Sequence, residues 1–301
     1  MDSIRLDGKV ALITGAGGSL GKAYAIELAS LGASIFVNDL GCDGKGEGQD
    51  KTAADSVAAD IKATGGKAAP NYLSVAEGDK IVAAAMETFG RLDIVIHSAG
   101  ILRDVSFSKM TETDWDKIME CHFIGTYKIT KAAWPIMIQQ NFGRIVFVTS
   151  AAGLYGNYGQ ANYSSAKMAL VGLGQTLALE GEKKNIKVNM IAPVAGSRLV
   201  RTVLPPEICD QIKPEYVSPL VAYLCSDGCP VNGAIYEVGA GVLSRVQWIR
   251  SQGTAFPLRE GFTLEKIIAN WEAVNNTREG RITTSFAQST QWTMNNLKTL
   301  T

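Results

Sequence analysis

Lys9-Val10-Ala11-Leu12-Ile13-Thr14 is a nearly unbroken apolar run, and Gly15-Ala16-Gly17-Gly18-Ser19-Leu20-Gly21 follows it directly. Ala23–Leu31 then carries apolar residues at helical spacing and stops near Gly32. The apolar run predicts a strand buried on both faces, the kind found in parallel sheets. Strand, glycine-rich turn and helix in succession restrict the chain to a small set of α/β folds. They also predict a site for the pyrophosphate of a dinucleotide. Glycines let the backbone come close, and a helix N-terminus presents unpaired N–H groups and a partial positive charge. The next apolar run, Ser34–Asn38, ends in Asp39, eighteen residues after Gly21. A carboxylate at about that distance accepts hydrogen bonds from the adenosine ribose and repels a 2′-phosphate, which predicts NAD as cofactor. The alternative for Asp39 is an ordinary turn residue.

Beyond this unit, short strands alternate with amphipathic helices, which predicts a doubly wound parallel sheet of about seven strands covered on both faces. Helices are expected over 51–64, 77–89, 113–140, 163–182 and 214–225, with strands near 68–73, 92–96, 144–149, 186–191 and 234–238. The glycine- and charge-rich loop Gly41–Gly48 is long for a strand-to-helix connection. Residues 1–243 are expected to form the nucleotide-binding unit with the active site, and 244–301 a helical C-terminal extension.

Tyr163-Ser164-Ser165-Ala166-Lys167 carries the chemistry, with Ser150 thirteen residues before Tyr163. Tyr and Lys at i and i+4 share one helix face. A lysine beside a tyrosine favours the phenolate, and such a phenol can exchange a proton with an alcohol or a ketone. Ser150, at the end of the run Ile145–Thr149, can hydrogen-bond the same oxygen from a strand terminus. Alone, a Tyr-x-x-x-Lys pair is more often a packed ring beside a solvated amine.

Lys+Arg and Asp+Glu balance at 29 each, so no net field draws the chain to nucleic acid or a membrane surface. Five scattered cysteines, Cys42, Cys121, Cys209, Cys225 and Cys229, lack zinc spacing and predict reduced thiols that fill apolar space. No apolar run reaches transmembrane length, the N-terminus has no apolar signal core, and the final residues are not a peroxisomal tripeptide.

Thr14-Gly15-Ala16-x-x-x-Leu20-Gly21, Asp39, His97-Ser98-Ala99-Gly100, Ser150, Tyr163-x-x-x-Lys167 and Pro193-x-x-Gly196 occur in the order of the short-chain dehydrogenase/reductase superfamily. The resemblance covers about Leu6 to Gly241. Val37–Gly41, Ala99–Asp104, Leu154–Tyr163, Ile191–Arg198, Lys213–Val217 and Tyr236–Gly239 narrow it further. Together they are similar to the (3R)-hydroxyacyl-CoA dehydrogenase units of peroxisomal type-2 multifunctional enzymes, which in animals are also 17β-hydroxysteroid dehydrogenases.

That resemblance implies a Rossmann-like fold, NAD as cofactor, an acyl-CoA substrate, a homodimer, a peroxisomal location (otherwise cytoplasmic) and a fused or associated enoyl-CoA hydratase. Tyr163 would be the acid/base, Lys167 would lower its pKa and hold the nicotinamide ribose, and Ser150 would steady the substrate oxygen. Gly15, Ser19, Leu20 and Gly21 would cover the pyrophosphate, with Asp39 on the ribose and Ser74-Val75 along the adenine. Ser98, Ala99 and Gly100 would lie under the ribose, and Ala195, Gly196, Ser197 and Arg198 would close over the nicotinamide. His122 stands where the superfamily usually has an asparagine; it is read either as part of a proton relay to Lys167 or as a satisfied interior residue.

Three positions depart from the superfamily pattern. Ser19 replaces a glycine and fits only at negative φ; His97-Ser98 replaces an Asn-Asn pair; Leu73 replaces an Asp near the adenine. Candidate cations for CoA phosphates are Lys45, Lys51, Arg103, Arg198 and Arg201, though such a residue is more often a solvated surface charge, and the acyl groove would involve Leu154, Tyr155, Tyr158 and 200–204. In the extension, Phe262–Trp271 reads as an amphipathic helix capped by Thr263, and 275–301 reads as a linker. The chain holds no hydratase or sterol-carrier portion, which fits a stand-alone enzyme or one unit of a longer protein. Rival functions are a steroid or 3-oxoacyl-carrier-protein oxidoreductase and, in a different class, a catalytically silent nucleotide-binding protein.

Overall fold

In the computed structural model, which describes residues 4–196, 205–257 and 261–300, the N-terminal run forms β1 (Val10–Thr14), buried at every position. It is followed by α1 (Ser19–Ser30), β2 (Ser34–Asn38), α2 (Thr52–Ala63), β3 (Lys67–Asn71), α3 (Gly78–Phe89) and β4 (Ile94–His97). Next come α4 (Glu112–Met119), a π-helical turn at Glu120–Ile124, α5 (Gly125–Gln140), β5 (Gly143–Val148), the short α6 (Ala151–Tyr155) and α7 (Ala161–Gly181). β6 (Ile186–Val194), α8 (Pro206–Gln211), α9 (Ser218–Cys225), β7 (Ile235–Gly239) and β8 (Val242–Val246) complete the sheet region.

The strands are ordered β3-β2-β1-β4-β5-β6-β7-β8. Every pair from β3 to β7 is parallel. Alternation along the strands sorts the core into two layers. Ala11, Ile13, Ile35, Val37, Ile94, Ile96, Val146 and Val148 join one cluster with Tyr24, Leu28, Val57, Ile61 and Val221 of α1, α2 and α9. Helices α3, α5 and α7 pack on the other side. The order reverses between β1 and β4, so the loops after these strands part and leave a crevice at their carboxyl ends, where ligands bind in such sheets. The eighth strand was not expected. It adds through a two-residue turn, Ala240-Gly241, with φ +50° and +77°, and so short a turn joins antiparallel neighbours.

The helix expected over 113–140 is three pieces. A capping box between Thr111 and Asp114 starts α4, and the π turn separates it from α5. α6 and α8, each six residues or fewer, carry too little periodicity to be read from the sequence.

The chain divides into two compact units, Met1–Arg245 and Val246–Thr301. Within the second, β9 (Ile249–Arg250) pairs with β10 (Arg281–Ile282) in an antiparallel ribbon. It also holds α10 (Leu264–Ala269), α11 (Trp271–Asn275) and α12 (Phe286–Leu300). Thr263 caps α10, its hydroxyl accepting from Lys266 N, as its sequence predicts. The segment 275–301 is not the linker expected: it supplies β10 and α12, and the Arg250 guanidinium lies 4.5 Å from the Trp292 ring centroid. Those contacts are made between residues distant in sequence, which local polarity does not reveal. No described helix is long and apolar enough to cross a membrane.

Candidate active site

The Asp39 carboxylate ties the glycine-rich turn to the loop after β2. Asp39 Oδ2 accepts from Gly17 N at 2.8 Å and its Oδ1 from Gly41 N at 2.7 Å. Gly15 adopts φ +65°, and a Cβ there would stand 2.6 Å from Ala99 Cα, so only glycine lets the turn lie on the β4 loop. A Cβ on Gly21 would collide with Gly15 O. α1 begins at Ser19 with no side-chain cap and no acidic residue in its first turn. Its leading N–H groups therefore have no intrahelical acceptor and suit an anion. Ser19 is helical and absent from the positive-φ residues, so replacing glycine costs no strain. A dinucleotide fits this cradle: N–H donors for its pyrophosphate, and a carboxylate at the strand end for its ribose.

The other departures are also accommodated. Asn38 Nδ2 donates to Leu73 O at 2.9 Å and Asn71 Oδ1 at 2.8 Å, fixing that segment through its backbone. Ser74 accepts from Ala76 N, and Val75 packs so tightly on Gly125 that a Cβ there would lie 2.7 Å from its methyl. His97 Nε2 lies 3.0 Å from Thr130 Oγ1, so the polar tie of the central strand runs to α5. Burial holds the His97 pKa down to about 3, with the Lys167 charge adding to the effect. Ala99 N donates to Thr14 Oγ1 at 3.2 Å, which seats the Ser98–Gly100 loop on β1. Ala195 is buried, and Gly196 N donates to Ile212 O at 2.6 Å. Ser197, Arg198, Arg201 and the 200–204 segment lie outside the described residues.

Ser150, Tyr163 and Lys167 come together at the end of β5. Ser150 is the N-cap of α6, its Oγ accepting from Ala152 N at 3.2 Å, and its side chain is near enough to the Tyr163 phenol to lower its pKa. Lys167 is 4% exposed. Its Nζ donates to Val148 O at 2.6 Å and stands 5.6 Å from the Tyr163 ring centroid. Thr149 Oγ1 donates to Lys167 O at 2.7 Å, tying helix to strand.

Burial pushes the Tyr163 pKa up to about 12; the Ser150 side chain opposes this and the Asp104 carboxylate adds to it. Burial likewise brings Lys167 down to about 8. Desolvation of the phenolate dominates, and the ammonium is aimed at a strand carbonyl.

His122 sits in the π turn, 2% exposed, its ring edge-on to Tyr163 at 5.1 Å. Its Nε2 lies 3.1 Å from Ile101 N and 2.8 Å from Ile101 O, so one bond or the other forms according to tautomer. Burial holds its pKa well below the usual value. Nδ1 is buried without a partner, and no described hydrogen bond joins His122 to Lys167.

Several side chains were not singled out from the sequence. Asn162, fully buried, donates to Arg103 O and Asp114 O. Gln160 donates to Asp104 at 2.7 Å. Their closeness to Tyr163 in the chain was the available signal. Of the cation candidates, Arg103 and Lys51 are engaged elsewhere. Arg103 pairs with Glu47 and with Asp114 at 3.4 Å, its Nε donates to Lys45 O, and Lys51 lies over the Tyr72 ring. Of the groove candidates, Leu154 is buried, whereas Tyr158 is 90% exposed. Tyr155 OH donates to Glu237 at 3.0 Å.

The short chain dehydrogenase profile matches residues 9–201. The chain belongs to the short-chain dehydrogenase family. Peroxisomal multifunctional enzyme A of Dictyostelium discoideum is 52% identical over 281 residues, 93% of this chain and 63% of that protein. Peroxisomal multifunctional enzyme type 2 of Mus musculus is 51% identical over 272 residues, 90% of this chain and 37% of that protein. The solved full-length peroxisomal multifunctional enzyme type 2 of Drosophila melanogaster superposes with a TM-score of 0.84 at 34% identity, covering 99% of this chain and 51% of that one. This short-chain dehydrogenase therefore spans less than two thirds of the length of these relatives.

Proposed function

We propose that the chain is an NAD-dependent (3R)-3-hydroxyacyl-CoA dehydrogenase of peroxisomal fatty acid β-oxidation, yielding the 3-oxoacyl-CoA. The approach of the buried Lys167 to Tyr163, with Nζ 5.6 Å from the ring centroid, and of Ser150, whose side chain favours the phenolate, supports the reading. The similarity to peroxisomal multifunctional enzymes supplies the substrate class. NAD, when bound, supplies a hydride acceptor. Oxidation breaks the O–H and C–H bonds at C3 and forms the carbonyl. Tyr163 Oη takes the hydroxyl proton, Ser150 Oγ donates to the substrate oxygen and holds it in place, and Lys167 supplies positive charge beside the ring. Asp39 favours NAD over NADP by charge and by occupying the space a 2′-phosphate needs. A hydratase, fused or associated, would supply the hydroxyacyl thioester.

The test uses chirally pure substrates and follows NADH absorbance. Oxidation of the 3R but not the 3S hydroxyacyl-CoA is expected, with medium or long chains preferred over four carbons. Preference for the 3S form overturns the assignment, and activity on steroids alone replaces the substrate class.

A further inference from the structure

The long loop after β2 is held at its base and at its tip. At the base, Gly41 N donates to Asp39 Oδ1 at 2.7 Å and Asp50 N to Leu40 O at 3.2 Å. At the tip, Asp43 Oδ1 accepts from Lys45 N at 2.8 Å and from Glu47 N at 2.9 Å, and Asp43 N donates to Glu47 O at 2.9 Å. This folded tip lies on the chain that follows β4. Leu102 N donates to Gly44 O at 2.8 Å, Arg103 Nε donates to Lys45 O at 3.0 Å, and the Arg103 guanidinium pairs with Glu47. Gly46, at φ +86°, comes so close that a Cβ would stand 2.9 Å from Ile101 Cδ1. The surface beneath the loop is fixed from its other side. Asn162 Nδ2 donates to Arg103 O at 3.2 Å and to Asp114 O at 3.0 Å, and its Oδ1 accepts from Tyr163 N at 2.8 Å. Cys42, early in the loop, and Tyr163 pack on the same cluster of Ile101, Ile118 and Ala166.

We propose that Arg103 is a positioning residue for the cofactor: with Glu47 and the Lys45 carbonyl it clasps the Gly41–Gly48 loop onto the frame of Tyr163, and through Gly41 it fixes the Asp39 carboxylate for the adenosine ribose. The proposal rests on the crevice taking NAD with Asp39 on that ribose. Ordering a loop of this length costs conformational entropy, and a loop ordered in advance leaves less of that cost to be met when the ligand binds. The chemistry of the clasp suits the task. The Arg103 side chain is 15% exposed, and its guanidinium reaches the Glu47 carboxylate, the Lys45 carbonyl and Asp114 Oδ1 (3.4 Å) at once. A lysine ammonium, a single point of charge, could not span all three. Asp39 is oriented by bonds from Gly17 N and Gly41 N, so a released loop loosens one of the two.

Glu47→Gln and Arg103→Gln test this by calorimetric titration with ADP-ribose, which carries the adenosine ribose and the pyrophosphate and requires no turnover. Glu47 is exposed on the loop, so Glu47→Gln should leave the urea midpoint in place while the Kd for ADP-ribose rises about threefold. Arg103→Gln, which loosens all three contacts, should raise it about tenfold. Arg103→Lys, which keeps the charge without the fork, should fall between wild type and Arg103→Gln. KM for NAD should rise in step with Kd, and kcat at saturating NAD should change less than affinity does. The double variant should bind no more weakly than Arg103→Gln alone, because the two side chains act as one unit. A Kd unchanged in both single variants overturns the proposal, as does lost stability without lost affinity. Additive losses in the double variant also overturn it, since Glu47 would then act without Arg103. A wild-type protein that binds no ADP-ribose overturns the dinucleotide reading itself, and the clasp's role with it.

Discussion

The His122 ring meets the Tyr163 ring edge-on, with centroids 5.1 Å apart and planes at 86°. A phenylalanine at 163 would keep that contact and the packing around it. Tyr163→Phe should therefore leave NAD affinity nearly intact, by fluorescence titration, while kcat falls at least 100-fold, the scale of a lost acid/base group. Retention of a tenth of wild-type kcat would remove Tyr163 from the chemistry. Lys167→Ala should lower both turnover and affinity and also cost stability, because Val148 O loses its buried donor.

Asp39 has a structural duty besides cofactor choice. Its carboxylate receives Gly17 N and Gly41 N, so Asp39→Ala should narrow the preference for NAD over NADP and also destabilise the protein by about 1–3 kcal/mol, through two stranded donors. Comparison of kcat/KM for the two cofactors, with a urea titration, checks both. Equal wild-type values would exclude Asp39 from the site.

Both histidines of the chain are buried and held neutral. Unfolded, each takes up a proton near pH 6.5; folded, His97 does so only near 3. The unfolded state thus binds more protons as pH falls below 6.5, and stability is lost through the window from 6.5 toward 3. The loss is roughly 1 kcal/mol per pH unit for each histidine. Urea unfolding between pH 7 and 5 should show this slope. His97→Gln, which can still bond Thr130, should reduce it, and an unaltered slope would refute the account.

Tyr127 and Ile138 on α5, and Met168 and Leu179 on α7, are exposed apolar side chains. Burial of these faces against a second copy would account for them, and light scattering should give a mass near twice 32.1 kDa. Leu179→Glu should shift the protein toward the monomer. A wild-type monomer at micromolar concentration would refute the dimer.

Much of the sheet was legible because its strands are short apolar runs bounded by glycine or polar residues, as in Val10–Thr14 and Gly143–Val148. The meeting of Ser150 with Tyr163 was legible because a strand end and a Tyr-x-x-x-Lys helix leave few alternatives. The Tyr163 pKa was not legible: sequence shows a lysine one turn away but not the desolvation that outweighs it. Arg103 looked like a free cation until Glu47 and Asp114, far apart in the chain, closed on it. The fold of 275–301 depends on pairing such as Arg250 with Arg281, which no local pattern announces.

The π turn at Glu120–Ile124 makes the number of residues between α4 and α5 as constraining as their identity. Removing one residue there would let the helix run on with ordinary hydrogen bonding, but it would rotate α5 by about 100° about the helix axis. Thr130 would then leave His97, and Gly125 would swing a different residue against Val75, where no Cβ fits. A single-codon deletion in this stretch, although it removes no catalytic group, should misphase a whole helix against the central strand.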